Sequence, residues 1–252
     1  RAIKGKVKTL TLMKTPANKW YAIFGCEVHT IPPKHTSDKH VGIDVGLATF
    51  ATLSDGLEIV NPRYLRSSLE KLKSKSRLLS KKKRGSSNRF KSRLRLAKLY
   101  ERVSNQRLDF LHKESKRLVS LYSLIAIEDL QVSKMKNKYL NRSINDASWN
   151  KFRQLLTYKA EEAGCKLIAV EPRGTTQECS GCGKAVPKNL SNRKHDCPNC
   201  GLSVSRDLNS AFNILNRAHS KLSLPAEGHS VEACGDRTIV LSSKQEAPHF
   251  SV

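Results

Sequence analysis

A chain of 252 residues can form one large domain or a domain with small attachments. Its formal net charge of +24 exceeds what solubility requires and points to a polyanionic partner, nucleic acid ahead of a membrane surface. No apolar run approaches the roughly 18 residues of a spanning helix, and the first residues lack the apolar core of a signal peptide, so a soluble, cytoplasmic, nucleoid-associated protein with no membrane partner is expected.

The chain begins at Arg1 rather than Met and is expected to be a fragment or a processed product. Residues 2–28 read as two strands joined by a turn at Thr15-Pro16-Ala17-Asn18, and the alternation of Val7, Leu10 and Leu12 predicts an antiparallel pair with one wet face. Residues 30–39, TIPPKHTSDK, form a linker. VGIDVG at 41–46, TFATL and LEIV follow as three strands, the last two joined by the Asp55-Gly56 hairpin turn. Asp44 sits in the first of them between Gly42 and Gly46. An unpartnered carboxylate is costly in a buried strand, so either the stretch is not a buried strand or Asp44 has a cationic partner.

Residues 61–120 hold 20 Lys or Arg against 4 Asp or Glu. Leu65, Leu69, Leu72, Leu96, Leu99, Val103, Phe110, Leu118 and Leu121 recur mostly at helical spacing, and Gly85-Ser86-Ser87-Asn88 breaks the run into a basic helical hairpin. Charges so nearly of one sign cannot be explained by ion pairs along the helix, and they suit a phosphate backbone. The candidate contacts are Lys81, Lys82, Lys83, Arg84, Arg89, Lys91 and Arg93. SLIAIEDL (123–130) and KLIAVEP (166–172) read as buried strands. Between them lies a helix over 148–164, with Ser148 as N-cap and Gly164 closing it. A last helix starts near Asp207, and the tail after 223 is expected to be partly disordered.

Seven cysteines include two pairs, Cys179/Cys182 and Cys197/Cys200, each followed by glycine. Two such turns present four thiolates to one tetrahedral ion, which predicts a single structural Zn²⁺. The glycines suit the tight turn of each knuckle. His195 is expected at the surface, and Cys26, Cys165 and Cys234 are read as plain thiols. Asp44, Glu128 and Asp207 fall on strand, strand and helix start, where they could converge. Clustered carboxylates need a cation, and two Mg²⁺ (or Mn²⁺) ions held there could hydrolyse a phosphodiester. Asp129 points to the other side of its strand and is structural. Arg206 serves either a phosphate or a surface ion pair.

GIDVGLATFATLSDG, IAIEDL, TTQECSGCG with CPNCG, and SRDLNSAFNIL resemble the three RuvC blocks and the zinc ribbon of TnpB (OrfB-type) transposon proteins, relatives of the type V CRISPR effectors. The resemblance covers roughly residues 1–220. It implies an α/β fold: an RNase H-like (RuvC) mixed sheet with a basic helical hairpin insertion and an inserted zinc ribbon. It divides the chain into a remnant of a wedge β-domain (1–30), a nuclease core (40–172, carrying the hairpin 61–120), a ribbon (173–204), a final nuclease segment (205–222) and a flexible tail (223–252). Asp44, Glu128 and Asp207 match the family's metal-binding catalytic acids. Thr175, Thr176 and Gln177 resemble its Thr-Ser-Gln element, with Thr for Ser, and are expected near nucleic acid together with Arg206.

The function implied is RNA-guided, divalent-metal-dependent DNA cleavage at a single RuvC site. The partners implied are a guide RNA from the transposon end and a target DNA. Family members carry a helical recognition segment and most of a wedge barrel before these blocks, whereas here only the strands of 2–28 precede them, which leaves a place for a missing N-terminal region or a partner chain. The alternatives are a non-cleaving transposon regulator that binds guide RNA and DNA, and a truncated remnant with nonspecific nucleic-acid affinity.

Overall fold

The computed structural model describes residues 3, 5–28, 33, 35–131, 141–189, 191–223 and 239–240. In chain order the elements begin with β1 (Lys6–Lys14), β2 (Trp20–Val28), β3 (His40–Val45), β4 (Thr49–Leu53) and β5 (Glu58–Val60). Two helices follow, α1 (Tyr64–Ser80) and α2 (Ser87–Leu121), and then β6 (Leu124–Glu128). After it come α3 (Asn141–Ala147), α4 (Trp149–Ala163), β7 (Lys166–Val170), β8 (Lys194–Asp196), β9 (Ser203–Ser205), α5 (Arg206–Ser223) and β10 (Ile239–Val240). The chain divides into two compact units, one of Arg1–Ile31, Arg66–Gln106 and Gly228–Val252, the other of Pro32–Leu65 and Arg107–Glu227. The expected tail falls largely outside the described residues, as do Cys234 and part of the linker 30–39.

In the first unit β1 and β2 pair antiparallel, with Leu10 opposite Phe24 and Lys14 opposite Trp20, and β10 adds to β2. The reversal is closed by Thr15 N–H donating to Lys19 O at 2.8 Å, with Asn18 in the left-handed region at φ 63°. The expected dry face is not dry: Leu10, Leu12, Trp20 and Phe24 are all exposed. β1 and β2, joined only by the two-residue β10, cover little of themselves. The helix break also falls slightly earlier than the glycine-serine signal suggests, because Ser87 and Asn88 already belong to α2. Ser86 is its N-cap, with Oγ accepting from Arg89 N–H at 3.2 Å.

In the second unit a five-stranded sheet runs in the order β5-β4-β3-β6-β7. β3, β4 and β5 pair antiparallel, while β3, β6 and β7 are parallel. One face of the sheet, through Val41, Ile43, Ile125 and Ile127, packs with Leu111, Leu118, Phe152 and Leu156 from α2 and α4. The other face, through Leu124, Ala126 and Val170, packs with Ile214 and Ala218 of α5. β7 is only half-buried rather than fully buried, since it is the edge strand. Gly164 ends α4 as expected, at φ 68° with its N–H turned back to Ala160 O and Glu161 O. Ser148 stands at the N-cap as expected, with its carbonyl accepting from Phe152 N–H at 3.1 Å, but its backbone is left-handed at φ 54° and its hydroxyl caps nothing, donating backwards to Asn145 O at 2.9 Å.

Candidate metal and nuclease site

Asp44 owes its position to the register of β3 against β6. Gly42 lies opposite Ala126 and Ile43 opposite Ile127, so one further step brings Asp44 level with Glu128 at the carboxyl ends of two parallel strands. Alternation then puts Gly42, Asp44, Ala126 and Glu128 on the face that packs against α5. Gly42 lets that helix in. A Cβ there would stand 2.1 Å from Ala211 O and 2.8 Å from Leu215 N, both backbone atoms of α5. The helix begins at Arg206 and brings Asp207 to the same sheet end.

Glu128 and Asp207 both act on Asp44. Burial, and then the charges of Glu128 and Asp207, push the Asp44 carboxyl up to about 8, while the Arg206 guanidinium partly offsets them. Glu128 is also raised, by burial above all, against the opposing hydrogen bond from Thr175 and the charge of Arg217. Thr175 Oγ1 donates to Glu128 Oε1 at 2.7 Å. Asp207 Oδ1 meets Arg206 Nε at 3.3 Å. The acids do not form a tight ligand cage as they stand. Among the described residues, the four cysteines alone form a group of three or more metal-type side chains whose ligand atoms all lie within 4.8 Å. Donor chemistry and mutual repulsion nonetheless fit hard divalent cations, which would bring such carboxylates together.

The cysteine group is drawn together more closely. Sγ of Cys179 lies 3.6 Å from that of Cys200, and Sγ of Cys182 lies 3.6 Å from that of Cys197. Each pair sits on a knuckle in which the following glycine donates back, Gly183 N–H to Cys179 O at 2.8 Å and Gly201 N–H to Cys197 O at 2.9 Å. Both glycines have positive φ, 74° and 73°, as the sequence led one to expect. Four thiols in this arrangement suit one tetrahedral ion. Burial raises the Cys197 thiol, but backbone N–H groups of Cys200 and Asn199 and hydrogen bonds from the Cys179 and Cys200 thiols bring it down, while Cys200 is raised in turn, so the four sulfurs share their protons as one group.

His195 is not at the surface. It is 0% exposed on the β8–β9 hairpin, Nδ1 is in contact with Lys188 Nζ, and burial and that ammonium lower its pKa. Cys165 is a buried thiol, raised by burial to about 11. Asp129 lies past the end of β6, where its carboxylate is ion-paired with Arg153.

The candidate nucleic-acid residues separate into two groups. Lys81, Lys82, Lys83, Arg84, Lys91, Arg93, Thr176 and Gln177 are exposed. Arg89, Thr175 and Arg206 are engaged within the protein. Arg89 Nη1 donates to Leu79 O at 3.1 Å and Lys82 O at 3.0 Å, so it ties off the carbonyl end of α1. Thr175 is 2% exposed, and Arg206, far from a surface residue, has a side chain only 13% exposed and also donates to Asn192 O at 3.2 Å.

Sequence reasoning missed the polar stripe of α5. Asn209 Nδ2 donates to Glu178 O at 2.7 Å, while its Oδ1 accepts from Ser180 N–H at 2.9 Å. Asn213 Nδ2 donates to Thr175 O at 2.9 Å and to Glu178 O at 2.8 Å. Arg217 bonds Glu171 O, Arg173 O and the Glu178 carboxylate, each within 2.8 Å. The signal was available: polar residues at 209, 213 and 217 repeat every fourth position on a helix that also carries the buried apolar Ala211, Ile214 and Ala218.

Residues 24–138 match the OrfB_IS605 family model, described as "Probable transposase", and residues 149–214 match the Cas12f1-like TNB domain. A Streptomyces pristinaespiralis protein named as a candidate RNA-guided DNA endonuclease is 36% identical over 90% of this chain and 54% of its own length. InsQ of Escherichia coli K12, named in the same way, is 34% identical over 94% of this chain and 60% of its own. TnpB-like protein L79 of Acanthamoeba polyphaga mimivirus is 31% identical over 82% of the chain and 43% of its own. The chain thus spans about half the length of the curated relatives it matches. Two cryo-EM structures share the fold. The Cas12f1–sgRNA–target DNA complex gives a TM-score of 0.51 and 20% identity, covering 70% of this chain and 49% of that one. A CRISPR–Cas12f ternary complex gives a TM-score of 0.53 and 21% identity, covering 79% and 42%.

Proposed function

The chain is a TnpB-type relative of the type V effectors, and from that premise we propose that it is the nuclease portion of an RNA-guided DNA endonuclease of a transposable element. The reading gives it an RNase H-like (RuvC) site at the carboxyl ends of β3 and β6, working with divalent metal. One observation carries it above the others: Glu128 and Asp207, far from Asp44 in sequence, both bring their charge to bear on it, at a buried strand position where a carboxyl otherwise has no reason to be.

Asp44, Glu128 and Asp207 hold two Mg²⁺ or Mn²⁺ ions in this reading. When bound, those ions activate a water and stabilise the leaving oxygen of a phosphodiester. Arg206 moderates the charge of Asp44 and Asp207. Thr175 fixes Glu128. The four cysteines hold one Zn²⁺, which closes the ribbon against α5 rather than reacting. The exposed cations of α1, α2 and their connecting turn contact phosphate, while base pairing of a guide RNA supplies sequence recognition of the DNA.

The test is to purify the chain after coexpression with its flanking transposon sequence and to sequence the RNA that remains bound at high salt. The complex is then given a plasmid matching the variable end of that RNA, with Mg²⁺ or with EDTA. Cleavage that needs Mg²⁺ and disappears with Asp44→Ala is the expected result. Cleavage by Asp44→Ala at the original rate removes Asp44 from the chemistry. A smear of cellular RNA with steeply salt-dependent binding and no cut favours the nonspecific remnant instead.

A further inference from the structure

Residues 175–177 read Thr-Thr-Gln, and Thr175 alone among the three is turned inward, 2% exposed. Its hydroxyl donates to Glu128 Oε1 at 2.7 Å and lies 3.0 Å from Pro172 O. A hydroxyl has one hydrogen to give, and an ionised carboxylate takes it in preference to a neutral carbonyl. Nothing is then left on Thr175 for a phosphate. Its backbone is fixed as well. Thr175 O accepts from Asn213 Nδ2 at 2.9 Å, and the same amide holds Glu178 O at 2.8 Å, on the chain entering the cysteine ribbon. Asn213 stands on α5, whose first turn carries Asp207. One helix therefore places two of the three acids, Asp207 directly and Glu128 through Asn213 and Thr175.

We propose that Thr175 is a positioning residue, holding Oε1 of Glu128 in a fixed hydrogen bond so that the carboxylate meets a divalent ion in one orientation. The inference rests on the reading of Asp44, Glu128 and Asp207 as a metal site. Hydrogen-bond partners behind a ligating carboxylate set both its direction and its basicity, and removing one commonly lowers metal affinity or activity by roughly 10–100-fold. Valine has the shape of threonine without the hydroxyl. Serine keeps the hydroxyl and loses only a methyl.

The experiment is a titration of the whole chain with Mn²⁺, followed by electron paramagnetic resonance, for the unaltered protein, Asp44→Asn, Thr175→Val and Thr175→Ser. Zinc content and melting temperature serve as controls for the fold. Thr175→Val is expected to weaken the Mn²⁺ binding that Asp44→Asn abolishes by roughly tenfold or more. Thr175→Ser is expected to restore it, with zinc unchanged in both. Unaltered binding in Thr175→Val overturns the inference, and so does a serine variant as weak as valine, which would put the effect in the methyl group. Should Thr175→Val fail to fold, Thr175→Cys, of like size but with a weak S–H donor, carries the same expectation. If Asp44→Asn leaves Mn²⁺ binding intact, the acid site itself is misread, and this inference goes with it.

Discussion

The second unit contains two clusters of metal-type side chains, and they are built in opposite ways. The four thiols stand at 3.6 Å contacts on two short knuckles, each held by its own backbone hydrogen bonds and the first also by Asn209 of α5. The three carboxylates come from two strands and a helix and lie farther apart than the thiols, and burial, with the charges of Glu128 and Asp207 added to it, lifts Asp44 to about 8. A neutral thiol tolerates a crowded, half-dry pocket, whereas an ionised carboxyl does not. A preformed cage suits an ion that stays. A slack, strained set of acids suits ions that arrive with a substrate.

The difference can be broken most severely at the ribbon. Cys179→Ser should abolish stoichiometric zinc and unfold residues 173–204, because binding energy at a four-cysteine site is folding energy. Elemental analysis with proteolysis of the ribbon checks this, and one full equivalent of zinc in the variant would remove Cys179 from the ligand set. Gly42→Ala should act on the acid cluster and leave the ribbon loaded. A Cβ at 2.1 Å from Ala211 O meets backbone that cannot swing aside, so α5 must shift, at a cost of about 3 kcal/mol in urea unfolding. Unchanged stability would mean that the helix does not approach the strand so closely.

The subtlest handle is pH. Asp44 is raised from the ordinary carboxyl range to about 8, so the folded chain holds a proton there that the unfolded chain has already released. Without divalent ions, stability should be fully present below pH about 4 and fall as pH rises toward 8, by at most about 1.4 kcal/mol per pH unit. Asp44→Asn should flatten that slope. Thermal melts in EDTA-washed buffer with zinc retained make the measurement, and a slope unaffected by the substitution would assign the dependence to other groups. Zinc bound at the thiols would run the other way and be lost as pH falls.

How much of this was legible beforehand varies with the range of the interactions. The two CxxC pairs with their glycines, the Asp55-Gly56 hairpin and Gly164 at the end of α4 are all written in neighbouring residues, and each appears where expected. Ser148 takes the N-cap position that a serine before a helical run suggests, but which way its hydroxyl turns, back to Asn145 O, is not written there. Arg89 looked like one more surface cation, and its two carbonyl partners lie 7 and 10 positions back across a turn that sequence alone does not fold. His195, flanked by lysine and aspartate, reads as a surface residue, yet it is fully buried with Lys188 against its ring.

Periodicity and short-range spacing, which act within a few residues, mark the five strands of the main sheet, the two basic helices and the thiol knuckles in the sequence. Tertiary structure alone decided that Asp44 and Glu128 share a face and a level, that Gly42 admits α5, and that Asn213 and Thr175 stand behind Glu128. Those facts depend on strand register and on one helix crossing a sheet, contacts between residues up to 170 or so positions apart, for which no local pattern encodes the distance.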